Sequence, residues 1–164
     1  EPVELGFGCP LDMHCTYTRD QLLVALDFMK PSTVREGVKW LPEKNSDVFF
    51  VTLNKADKDY SPTTMYNDYS INGSLFHWQS QSTTAENSPT GQRYIHHKER
   101  GSKVLLFVRE FKSDRVTGGA EAYTYLGTAS YVKYEGSRPM NITWQLDRPI
   151  PAKFLKKTNK LVVG

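Results

Sequence analysis

The chain has 164 residues, 38% of them hydrophobic and 24% charged, which is enough for one domain with a buried core and too apolar for a disordered tail. Its net charge of +3 is mild, and two cysteines, Cys9 and Cys15, are too few for a disulfide-built scaffold. No apolar run approaches the roughly 20 residues that span a bilayer, so a membrane partner is not expected.

The chain opens on EPVELGFGCP, with no initiating Met and no basic-then-apolar leader, and is expected to be a segment of a longer cytoplasmic protein. Cys9, His14 and Cys15 lack a fourth ligand at zinc-site spacing, so no metal and no cofactor is expected. Thr18-Arg19-Asp20-Gln21 has the form of a capping box, with Thr18 as N-cap. Leu22, Leu23, Ala25, Leu26 and Met29 then recur at helical spacing until Pro31 ends the pattern. Residues 1–36 are therefore expected to be a helical lead-in, and residues 37–164 one β-rich unit.

Strand signals follow. Val38 to Leu41 is short and stopped by Pro42, and Asp47 to Leu53 is β-branched and aromatic. Ser74 to Ser82 alternates, with Leu75, His77, Gln79 and Gln81 on one side and Phe76, Trp78 and Ser80 on the other. Ser88-Pro-Thr-Gly91 is turn chemistry, and Gln92 to Lys98 is expected to be a short helix. Lys103 to Phe111 is an almost continuous apolar run and predicts a central strand. Ala122 to Leu126 and Ala129 to Tyr134 read as two strands broken at Gly127, and Met140 to Leu146 as another. Phe154, Leu155, Leu161 and Val162 among lysines predict a short amphipathic helix at the end. The expected fold is α+β and mostly β, a curved sheet or open barrel with an N-terminal helix and short flanking helices.

The sequence holds no GxxxxGK[ST], GxGxxG, HExxH, CxxC pair or GxSxG, so nucleotide hydrolysis, zinc proteolysis and serine esterase chemistry have no carrier. His96-His97 is not expected to be a metal pair, because adjacent side chains diverge on either a helix or a strand and rarely ligate one metal together. The unusual stretch is Ser61 to Ser82, where Tyr66, Tyr69, Phe76, His77 and Trp78 sit among Asn, Asp, Gln, Ser and Thr. Flat rings beside amides and a carboxylate suit a nucleobase held outside its stack. The candidate base pocket is Tyr66, Asp68, Tyr69, Trp78, Gln79 and Gln81. For Phe76 the plainer reading, sheet core, is preferred.

Charge is unevenly placed. Residues 1–27 carry Glu1, Glu4, Asp12, Asp20 and Asp27 against Arg19, a sum of −4, so the rest of the chain sums to +7. RYIHHKERGSK, Arg93 to Lys103, follows the aromatic stretch directly. The candidate phosphate contacts are Lys55, Lys58, Arg93, His96, Lys98, Arg100 and Lys103.

Several blocks carry a resemblance: YTRDQLL, DVFFVTLNKADKDYSPTTMYNDYSI, LFHWQSQS, SPTGQRYI, VLLFVRE and YTYLGTASYVKYEGSRPMNITWQLDRPIP, together covering about Pro10 to Pro151. They resemble an uncharacterised bacterial domain family found at the C-terminus of large proteins with a phospholipase D-type nuclease and a superfamily II helicase. These proteins are similar to SauUSI-type type IV restriction enzymes, which are ATP-dependent and attack DNA carrying 5-methylcytosine or 5-hydroxymethylcytosine. The resemblance implies an SRA- or PUA-like fold. It also implies a target-recognition domain in bacterial defence rather than a catalyst. Its partners would be duplex DNA with a modified cytosine, reached by base flipping, and the helicase and nuclease of the same parent chain. It supplies no catalytic residue. Two other readings stand beside it: an RNA-binding PUA-like module, and a protein-docking domain of the helicase whose aromatics form an interface. A nuclease built on His77, His96 or His97 is the weakest reading, because no acid-rich metal constellation accompanies them.

Overall fold

The computed structural model describes residues 11–28, 37–54, 68–112, 116, 118–152 and 154–155. Its elements in chain order are β1 (Thr16–Tyr17), α1 (Arg19–Ala25), β2 (Val38–Leu41), β3 (Ser46–Asn54), β4 (Tyr69–Ser70), β5 (Leu75–Gln79), α2 (Pro89–Ile95), β6 (Lys103–Phe111), β7 (Tyr123–Glu135) and β8 (Asn141–Leu146). Among the described residues the eight strands form one open sheet in the order β2-β3-β6-β7-β8-β5-β4, with β1 added beside β7. The fold is mostly β, as the strand spacing predicts.

The capping box forms. Gln21 N–H donates to Thr18 Oγ1 at 3.1 Å, and Thr18 N–H donates to Gln21 Oε1 at 2.9 Å. Helix α1 ends at Ala25 and buries Leu22, Leu23 and Leu26 against Val48, Phe50, Leu105 and Phe107. Met29 and Pro31 lie outside the described residues, as does most of the expected C-terminal helix. The described part of the lead-in is joined to the sheet, since Thr16 and Tyr17 pair with Thr124 and Tyr123.

Strands β3 and β6 are parallel and in register from Ser46↔Lys103 to Asn54↔Phe111. Their continuous apolar runs follow from burial on both faces. Phe49, Val51, Val104 and Leu106 enter one core cluster, while Val48, Phe50, Leu105 and Phe107 enter the other. A parallel pair needs a crossover, and the chain between them supplies β4, β5 and α2. Helix α2 begins earlier than expected, because Ser88 caps it (its Oγ accepts from Gly91 N–H) and Pro89 occupies its first turn.

Strand β7 is one strand of 13 residues, where the sequence predicts two. Gly127 bends it instead of breaking it. At φ +91° Gly127 sits opposite Leu106, where the β6–β7 register slips, and a Cβ there would meet Met13 Sδ at 2.7 Å. That is bulge chemistry, which kinks a strand while pairing continues on either side. Beyond the bend β7 pairs with β8 from Ala129↔Leu146 to Glu135↔Asn141. The sheet thus has two halves, β2-β3-β6 and β8-β5-β4, joined by β7.

Candidate nucleic-acid interface

The alternation in β5 is realised. Phe76 and Trp78 point into the core with Ile142 and Trp144 of β8. Leu75, His77 and Gln79 lie on the opposite face and are half-exposed. Register then builds three polar rows on that face: Ser130, Gln145 and Leu75; Lys133, Thr143, His77 and Tyr69; Glu135, Asn141 and Gln79. Tyr69 and His77 stack at 4.7 Å with 18° between their planes. Gln79 Nε2 donates to Asn141 Oδ1 at 3.3 Å, so two amides lie side by side one row from the rings. Asp68 is 5% exposed, and its Oδ1 accepts Gln79 N–H at 2.8 Å. Its carboxylate holds the end of β5 in place beneath the Gln79 side chain.

Three predicted site residues are placed elsewhere. Trp78 is 4% exposed, stacked on Phe49 at 4.1 Å and set edge-on to Tyr94 and Trp144. Its ring is core, and no base reaches it. The reason is long-range: Phe49 and Trp144 arrive from other strands to cover it. Gln81 Oε1 accepts from Thr84 Oγ1 at 3.2 Å and Tyr94 Oη at 3.1 Å, so Gln81 braces the loop ahead of α2. Arg93 grips fully buried Asp47 through two bonds of 2.8 Å, with its guanidinium 4.6 Å from the Trp40 ring. Burial pushes the Asp47 carboxyl up against the pull of those two bonds. Arg93 is thus a structural ion pair in place of the expected phosphate contact. Tyr66, Lys55 and Lys58 lie outside the described residues.

The other basic candidates stay on the surface. His96 Nδ1 lies 3.1 Å from Glu99 Oε1, and Lys98, Arg100 and Lys103 are exposed. Lys98 and Lys103 line a cleft of about 200 Å³, whose walls include His97, Thr128, Ser130 and Asp147. His97 is 3% exposed; burial, foremost, holds its imidazole below the usual range. Thr128 Oγ1 and Ser130 Oγ both donate to Asp147. Ser130 belongs also to the first polar row, so the cleft and the polar face adjoin.

Lys133, Asn141, Thr143, Ser130 and Asp147 of this site stand outside the motifs singled out in the sequence. A signal for part of this set exists in Asn141-Ile-Thr-Trp-Gln-Leu146, whose polar residues alternate as strictly as those of β5. Among the described residues no group of three or more His, Cys, Asp or Glu side chains is placed to hold a metal ion. Nor is any helix among them long and apolar enough to cross a membrane.

Solved structures with a partial likeness to this chain exist. SUVH6 of Arabidopsis thaliana, solved in complex with SAM, matches with TM-score 0.45 and 16% identity, over 87% of this chain and 26% of that one. The DNA recognition domain of the cytosine modification-dependent restriction endonuclease LpnPI matches with TM-score 0.42 and 9% identity, over 68% of this chain and 60% of that one. The 5-hydroxymethylcytosine-specific restriction enzyme AbaSI matches with TM-score 0.36 and 16% identity, over 70% of this chain and 32% of that one. The chain thus spans less than two thirds of each of these proteins. No curated protein matches its sequence. Residues 11–157 match the model of the family described as "Domain of unknown function (DUF3427)", and the chain belongs to that family.

Proposed function

We propose that this domain binds double-stranded DNA and reads a modified cytosine, 5-methylcytosine or 5-hydroxymethylcytosine, as the recognition module of a larger helicase–nuclease chain. The observation that carries the reading is the polar face of β7, β8, β5 and β4, where stacked rings, paired amides and a cationic cleft adjoin. The sequence resemblance described above supports the same class of target.

In this mechanism the modified base leaves the helix and lies against the Tyr69–His77 stack. Gln79 and Asn141 each offer an N–H donor and a carbonyl acceptor to its polar edge. Asp68 fixes the Gln79 backbone and leaves edge recognition to the amide. Tyr66, two residues before Asp68, is a further stacking candidate. Lys98, Arg100 and Lys103 contact phosphates, and His96, Lys55 and Lys58 are further phosphate candidates. Phosphate contacts set position and strength without reading sequence. Cleavage belongs to the parent chain.

Magnitudes constrain the mechanism. Flipping costs a few kcal/mol, and stacking returns about 1–3 kcal/mol per base. A buried methyl contributes only about 0.8 kcal/mol, a few-fold in affinity. Protecting unmodified DNA therefore needs shape exclusion as well, or an ATP-dependent step in the parent chain. Titrating the domain with matched duplexes that differ only in cytosine modification tests the proposal. The modified duplex should bind more tightly; equal affinities would overturn modification reading.

A further inference from the structure

We propose that the cleft beside β7 seats one backbone phosphodiester of the bound DNA, with Lys98 and Lys103 as its cations and His97 as the residue that positions them. The inference rests on the DNA-binding reading for its partner.

A lysine on a loose loop loses much rotamer and backbone freedom when it grips an anion. The loop from His97 to Lys103 has already lost the backbone part. Ser102 N–H donates to His97 O at 2.8 Å, Ser102 Oγ donates to the same oxygen at 3.2 Å, and Lys103 N–H donates to Asn45 O at 3.0 Å. The His97 ring adds a cross-tie. Tyr131 N–H donates to Nε2 at 3.0 Å, so Nε2 carries no proton, and Nδ1 donates its own to Ser102 O at 3.1 Å. The ring lies 5.6 Å from the Trp144 indole. One neutral imidazole thereby fastens the cationic loop to β7, on the strand that carries the polar face.

The charges suit a diester. Lys98 and Lys103 share the cleft with Asp147, whose oxygens already accept the Thr128 and Ser130 hydroxyls, leaving one positive charge in excess. An internal phosphodiester carries one negative charge.

Acid should undo the fastening. A proton on Nε2 would set N–H against Tyr131 N–H. The charged groups facing His97 are Lys98 on its own loop, Asp47 on β3 and Asp147 after β8; burial is the largest influence and favours the neutral ring. Since the folded-state value is lowered, the contribution of the fastened ring is full above about pH 6.5 and is lost as pH falls below that. Ordinary electrostatics has the opposite sign, because acid makes a protein more cationic and should strengthen DNA binding.

Anisotropy titrations of the 164-residue chain separate these outcomes. Lys98→Ala and Lys103→Ala should each weaken modified and unmodified duplexes alike and flatten the log–log salt slope by about 1. In urea unfolding from about pH 7.5 to about pH 5.5, the folding equilibrium constant of the wild type relative to His97→Gln, whose amide cannot be protonated, should fall about threefold or more. Unchanged salt slopes in both lysine variants, or a pH-independent ratio, would overturn the proposal. Amide exchange at Tyr131 and Ser102 in the free protein, corrected for intrinsic rates, should also quicken below about pH 6.5; constant protection would count against the tie whatever DNA does. Flattened slopes without any preference for modification would leave the cleft standing and remove modification reading.

Discussion

One side of one sheet is used in two ways. Under β3 and β6 it carries Val48, Phe50, Leu105 and Phe107 and is covered by α1. Past the Gly127 bend the same side continues through Thr128 and Ser130, partners of Leu105 and Gln145, onto the polar rows of β8 and β5. The opposite side carries the other core cluster, from Val38 on β2 to Phe76 and Trp78 on β5. A half buried on two faces can only be scaffold. A half buried on one face can present side chains held at fixed spacing by register, which is the demand of a recognition surface.

Substitutions should separate the halves by the kind of damage they do. Trp78→Ala should cost about 3–5 kcal/mol in urea unfolding, as expected for an aromatic ring removed from a packed core; a loss under about 1 kcal/mol would put the ring outside the core and return it to the candidate pocket. Asp47→Ala should cost a similar 3–5 kcal/mol or so, because it strands the Arg93 guanidinium without its partner. Gly127→Ala should cost about 1–3 kcal/mol, from strain at positive φ and the approach to Met13. At the small end, Gln79→Ala and Asn141→Ala should shift stability by no more than about 1 kcal/mol. They should nevertheless erase the preference for modified over unmodified duplex in binding titrations. A stability loss as large as that of Trp78→Ala would make the amide pair part of the scaffold and dissolve the distinction between the halves.

Elements governed by local chemistry were legible in the sequence. The Thr18 capping box, the β5 alternation and the unbroken run of β6 each declare themselves within ten residues or so. What escaped depends on partners far along the chain. Trp78 is sealed because Phe49 and Trp144 close over it, and Arg93 is consumed by Asp47, 46 residues away. Gly127 reads as a break because a glycine in a strand usually weakens it, yet the register slip opposite Leu106 lets pairing resume. Of the candidate site, Asp68, Tyr69 and Gln79 do come together, since all three lie on one short hairpin. Asn141, Thr143 and Lys133 join them only through the pairing of β5 with β8 and of β8 with β7.

The most direct test of the account is a backbone-amide footprint of a methylated duplex on the isotopically labelled chain. Shifts should concentrate at His77–Gln79, Asn141–Gln145 and Lys98–Lys103, with α1 and the centre of β3 quiet. Shifts gathered on α1 and β1, with the β5–β8 rows unmoved, would contradict it.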